Sequence, residues 1–87
     1  MPKVFIPISM RTLTHDVAVV EAEGTTLGHV INNLEQRFPG IKERLCQGGA
    51  IRPGIAVAID GNVTSLGLYQ RTEAAAEIHF LPPIGGG

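Results

Sequence analysis

The sequence predicts a two-layer α+β fold in which one helix covers one face of a sheet. A single segment has the helical period: Leu27, Val30, Ile31, Leu34 and Phe38 place an apolar stripe on one helix face. Several short segments have period two, seen best in Val4 and Ile6, in Ile55, Val57 and Ile59, and in Ile78 and Phe80. Glycine and proline punctuate the joints between these segments. A length of 87 residues suits one domain, and 44% apolar residues exclude wholesale disorder.

Taken in order, Lys3 to Ile8 reads as the first strand, with Val4, Ile6 and Ile8 alternating with Lys3, Phe5 and Pro7. Pro7 lacks a ladder donor, so regular pairing should end near it or pass through a bulge. Met10 to His15 is polar and reads as a hairpin loop. Asp16 to Ala22 reads as a second strand whose faces stay open, because Val17 and Val19 compete with Ala18, Val20 and Ala22. Gly24-Thr25-Thr26 breaks the pattern, and a threonine there can cap the helix by accepting from first-turn N–H groups. The helix follows, with Asn32, Asn33, Glu35, Gln36 and Arg37 on its wet side and Pro39-Gly40 at its end. Ile41 and Leu45, four apart, predict a short helical turn under the core, and Gly48-Gly49 and Pro53-Gly54 frame a loop. Ile55 to Asp60 reads as a third strand, Asp60-Gly61-Asn62 as a tight turn, and Val63 to Tyr69 as an edge strand. Gln70 to Ala76 is the least legible stretch, its alanines equally compatible with a helical turn; Glu77 to Leu81 closes the sheet.

If Val4, Ile6, Ile55, Val57, Ile59, Ile78 and Phe80 face the helix, the other face carries Phe5, Pro7, Ala56, Ala58, His79 and Leu81. Apolar residues clustered there predict a docking surface, with Phe5 and Leu81 as the partner face and His79 at its edge. A formal charge of −1 gives no electrostatic footprint for nucleic acid or an acidic membrane. Arg37, Lys42, Arg44 and Arg52 read as a solvated charged face. The only cysteine, Cys46, excludes an intrachain disulfide and reads as a small core residue. His15, His29 and His79 lack ligand spacing, so no metal site is expected. No apolar run approaches a membrane span and the N-terminus has no signal-peptide pattern, so a cytoplasmic location is expected.

The end of the chain is Pro82-Pro83-Ile84-Gly85-Gly86-Gly87. The prolines should stop sheet pairing, and the glycines cannot pack a core but can enter a channel that any Cβ would block. Residues 1–81 are therefore expected to form the domain and residues 82–87 a flexible tail of ~20 Å reach, tipped by the Gly87 carboxylate. No Gly-x-x-x-x-Gly-Lys-Ser/Thr loop is present to bind ATP.

Thr26-Leu27-Gly28 opening the helix, Ile31 to Leu45, and Phe80-Leu81-Pro82-Pro83 followed by terminal glycines carry a resemblance across essentially the whole chain. By these residues it resembles the ubiquitin-like β-grasp sulfur carriers: the molybdopterin synthase small subunit, the thiamine-pathway carrier and the cysteine-pathway carrier. The helix and the Pro-Gly-Ile turn look most like the cysteine type, the double proline like the molybdopterin type. Two departures stand out: a third glycine at Gly85, and Ala75-Ala76 where a Gly-Asp pair often precedes the last strand.

The resemblance implies a β-grasp fold, a mixed sheet of four to five strands packed on one main helix. It implies that the Gly87 carboxylate is adenylated by a partner and becomes a thiocarboxylate that donates sulfur to cysteine or molybdopterin synthesis. The chain would then be a co-substrate and not an enzyme, either a free carrier or the small subunit of a synthase. It would bind no cofactor, ATP being used by the partner. Its partners would be an E1-like adenylating or sulfurtransferase enzyme and a sulfur-accepting synthase. Gly85, Gly86, Pro82, Pro83, Ile84, Phe5, His79 and Leu81 would contact them. Two other readings share these residues: a protein modifier joined through Gly87 to lysines, and a non-catalytic binding module.

Overall fold

The computed structural model describes residues 1–81. Pro82, Pro83, Ile84, Gly85, Gly86 and Gly87, expected to form the tail, lie outside the described residues. Strands β1 (Lys3–Phe5), β2 (Val19–Glu21), β5 (Ala56–Ile59), β6 (Asn62–Val63) and β7 (Glu77–Leu81) form one sheet in the order β2-β1-β7-β5-β6. β1 and β7 run parallel at its centre and the other pairs are antiparallel, so the sheet is mixed. Helix α1 (Leu27–Arg37) and the short helix α2 (Ile41–Leu45) complete the second layer. A separate hairpin, β3 (Cys46–Gln47) with β4 (Ala50–Ile51), follows α2.

α1 begins where the sequence places a cap. Thr26 is extended and its hydroxyl oxygen accepts the His29 N–H at 3.2 Å. Leu27, Val30, Ile31 and Leu34 are wholly buried. They meet Val4, Val20, Val57, Ile78 and Phe80 from the inner face of the sheet. Each fully buried large side chain stabilises the domain by about 1.5–3 kcal/mol relative to exposure. Phe38 stands at the helix end, half-buried against that core. α2 has no capping side chain of its own; the Glu35 carboxylate, from α1, accepts Gly40 N–H at 3.0 Å and Lys42 N–H at 2.8 Å. Those two bonds hold the Glu35 carboxyl below the usual glutamate range.

The first strand is shorter than expected. Its ladder reaches Ile6, whose N–H donates to the Ala18 carbonyl at 2.8 Å, and Pro7 then turns the chain. Residues 8–14 are a 3₁₀ helix, Ile8–Thr14, and not strand followed by polar loop. The reason lies in Met10, Leu13 and Thr14, which share the inner side: Met10 and Thr14 are buried and Leu13 packs on the core. The buried Thr14 hydroxyl donates to the Val17 carbonyl at 2.9 Å, closing the turn through the left-handed residues His15 and Asp16. The second strand is likewise only Val19–Glu21, and its faces resolve with Val20 and Ala22 inward and Val17 and Val19 outward.

The Gly48-Gly49 stretch is the turn of the β3–β4 hairpin instead of an open loop; both glycines have positive φ, as a two-residue hairpin turn requires. Val63 to Tyr69 is not one edge strand: β6 ends at Val63 and Gly67–Tyr69 is a 3₁₀ turn. Residues 70–72 tie the sheet to the helix start. The Leu27 N–H donates to the Gln70 carbonyl at 2.8 Å, and the Thr72 hydroxyl to the Gly24 carbonyl at 2.8 Å. Ala76, in place of the expected Gly-Asp turn, donates its N–H to the Glu73 carbonyl at 3.1 Å and is buried.

Candidate functional site

Period two along a strand sends alternate side chains to opposite sheet faces. The cross-strand register then decides which outward side chains become neighbours. Phe5 pairs with Val19 on β2 and with His79 on β7. His79 pairs with Ala58 on β5, and Ala58 with Val63 on β6. Val19, Phe5, His79, Ala58 and Val63 therefore form one row across all five strands, ~19 Å long at about 4.8 Å per strand. Phe5 and His79 lie face to face within it, ring centroids 4.0 Å apart and planes inclined by 12°.

Parallel rows border this one. On one side Lys3 is flanked by Glu21 and Glu77. Asp60 extends that line, its N–H donating to the Glu77 carbonyl at 2.9 Å and its carboxylate accepting the Glu77 N–H at 3.0 Å. All four side chains are exposed, so the border carries a formal −2. On the other side Leu81 pairs with Ala56 and is 44% exposed. Leu81 is the last described residue. A shallow groove lined by Phe5, Pro7, Ile8, Arg11 and His79 opens where β1 ends. The Arg11 guanidinium at its rim is held by the Ile6 carbonyl at 3.1 Å.

The structure thus brings Phe5, His79 and Leu81 onto one face, with Pro7, Ala56 and Ala58. Val19 and Val63 belong to that face too and escape a reading of the sequence alone. The ambiguous parity of residues 16–22 hides the first, and the register of a two-residue strand hides the second.

Four cationic side chains, Arg37, Lys42, Arg44 and Arg52, are engaged away from this face. Arg37 donates to the Glu21 carbonyl, Arg44 to the Ser9 carbonyl at 2.8 Å, Arg52 to the Glu43 carbonyl at 2.8 Å, and the Lys42 ammonium to Asn32 at 2.6 Å. Cys46 is buried in the core, and burial pushes its thiol pKa up despite Lys42 and Arg52 nearby. Among the described residues no three His, Cys, Asp or Glu side chains converge to hold a metal ion, and no helix is long and apolar enough to cross a membrane.

Comparison with known proteins places these features. A sequence profile of the ThiS family matches residues 4–87. The crystal structure of the Amycolatopsis orientalis BexX/CysO complex contains a similar chain at 31% identity and a TM-score of 0.93, with 100% of each chain covered. Mycobacterium tuberculosis CysO is similar at 28% identity and a TM-score of 0.89, covering 97% of this chain and 100% of that one. Small archaeal modifier protein 1 of Methanosarcina acetivorans shares the fold at 23% identity and a TM-score of 0.82, with 99% and 95% covered. A search of curated protein sequences returns no match.

Proposed function

The chain belongs to the ThiS family of ubiquitin-like β-grasp sulfur carriers, and we propose that it carries sulfur as a thiocarboxylate on Gly87. The observation behind this is that the family match runs to residue 87 and so includes the glycine terminus. A free carboxylate resists nucleophiles because it is anionic and has no good leaving group. In the proposed cycle a partner enzyme transfers AMP from ATP to the Gly87 carboxylate, releasing pyrophosphate. A sulfur nucleophile attacks the acyl carbon and AMP departs; with hydrosulfide as the nucleophile the product is the thiocarboxylate directly. The carrier then delivers that sulfur to an acceptor enzyme in a biosynthetic pathway.

Catalysis belongs to the partner in this reading, and the outer sheet face holds the carrier while the tail enters the active site. Likeness to a chain of the BexX/CysO complex supports a protein partner for this carrier. Intact mass spectrometry after incubation with the activating enzyme, ATP and a sulfur donor is the test. Exchange of one oxygen for sulfur at the C-terminus is expected. Ladders on target proteins would assign a modifier, and an unchanged mass an inert binding module. Gly86→Val should fold normally yet fail in ATP–pyrophosphate exchange, because a β-branched residue widens the arm and closes off φ values open to glycine.

A further inference from the structure

We propose that the groove at the end of β1 holds this chain's own tail while the carrier is free, with the Ile84 side chain on its apolar wall and the Gly87 carboxylate on Arg11. The inference rests on the proposed function for that carboxylate and concerns the carrier before a partner binds. The groove has a volume of about 650 Å³, within the roughly 300–1,000 Å³ of sites that take small ligands. Phe5, Pro7 and Ile8 form its wall beside His79 and Phe80. Ile8 is 80% exposed, a large apolar side chain with little over it among the described residues.

Two observations identify the occupant. The first is where the described chain ends. β1 and β7 run parallel with Phe5 beside His79. Two residues further along each strand stand Pro7 and Leu81. Leu81 is the last described residue, and its neighbour Phe80 lines the groove. Residues 82–87 follow in sequence, a contour of ~20 Å at about 3.4 Å each, so Ile84 and Gly87 both come within reach. The second is complementarity. Pro82, Pro83 and Ile84 are apolar, and the segment closes on a carboxylate. The groove is apolar and carries a cation, Arg11, whose Nε donates to the Ile6 carbonyl at 3.1 Å. That bond uses one of five guanidinium donors and orients the group, leaving the terminal nitrogens to meet a carboxylate.

Tethering makes a weak contact sufficient. A short linker presents its end to a nearby site at an effective concentration on the order of mM, so a site of about mM affinity is filled in much of the population. The two prolines have φ already set, so the ordering cost falls chiefly on Ile84 and the glycines. The contact is reversible, as a segment that has to leave for an active site requires. Phe5 and His79 belong both to the groove and to the docking row. A partner seated on that row therefore displaces the tail, and docking and release of the carboxylate become one event.

Solution NMR of the full-length carrier alone tests this. Cross-peaks from the Ile84 methyl groups to Phe5 and Ile8 are expected, and Ile84→Ser should shift the amides of Ile8, Ser9 and Arg11. Arg11→Gln should move the Gly87 amide toward its random-coil position. So should 1 M NaCl, where the screening length falls to ~3 Å. Position 84 lies outside the described residues, so Ile84→Ser reports on the contact even where Arg11→Gln disturbs the 3₁₀ helix. Missing cross-peaks, with the amides of Ile8 to Arg11 unmoved by Ile84→Ser, overturn the inference. Cross-peaks that fade on dilution would put a second copy's tail in the groove and overturn it too. No activating enzyme is present, so a negative result leaves the thiocarboxylate reading standing, and an unchanged mass in the carrier test leaves this contact standing.

Discussion

The two faces of one sheet are made from the same strands by alternate residues, yet they differ in what their apolar groups accomplish. On the inner face Val4, Val20, Val57, Ile78 and Phe80 are at most 5% exposed and meet α1. On the outer face Val19, Phe5, His79, Ala58 and Val63 form an equally continuous row, with no second layer over it among the described residues. The inner row stabilises the fold; the outer row leaves free energy unspent until a partner arrives. In the proposed function, the face that holds Phe5 against His79 is the one a partner docks on.

The strongest way to break the comparison is to remove mass from the inner row. Ile78→Ala, at a wholly buried position, should cost about 2–5 kcal/mol of stability. Chemical denaturation measures it, and an outer-face-sized loss would mean that the two faces are not distinct. Next comes the joint that seats the helix on the sheet. A Cβ at Gly24 would lie 2.6 Å from the Val30 backbone nitrogen and from its Cγ2. Gly24→Ala should therefore lower stability by roughly 1–3 kcal/mol, by forcing the start of α1 away. A thermal midpoint equal to wild type would show that this approach is not tight.

The outer face should respond the other way. Leu81→Asp should change stability by no more than about 0.5 kcal/mol while weakening the activating enzyme's grip, read as a raised KM in exchange. A large drop in thermal midpoint would show that Leu81 serves the fold.

The smallest effect sharpens the picture of the helical layer. Glu35→Gln removes the charge that accepts the Gly40 and Lys42 N–H groups, so it should lower the thermal midpoint slightly at neutral pH. The folded carboxyl titrates below its ordinary value of 4.5. Its contribution is present above that value and is lost as pH falls through the lower folded pKa. The gap between wild type and Glu35→Gln should thus close below pH 4.5, and a gap that persists undiminished in more acid solution would refute the assignment.

Local chemistry was readable wherever a residue's role depends on its neighbours in the chain. The α1 stripe and its Thr26 cap, the Asp60-Gly61 turn, the short α2 and the alternation in β7 all follow from period and turn residues. Misreadings fell where two local signals compete. Met10 to His15 reads as a hairpin loop because it is polar, but Met10 and Thr14 find burial only when the stretch coils. The Gly48-Gly49 turn was visible, but strands of two residues carry no period to announce the hairpin around it.

Sequence by itself determined the two layers, the buried stripe and the outward parity of Phe5, His79 and Leu81, because each is a property of one segment. Only the tertiary structure decided that Val19 and Val63 extend that face, that Phe5 stacks on His79, and that Glu21, Glu77 and Asp60 line its border. The reason is register. Parity says which face a side chain occupies, whereas its neighbours across strands depend on how segments distant in the chain slide past one another, and that is settled by packing of the whole core.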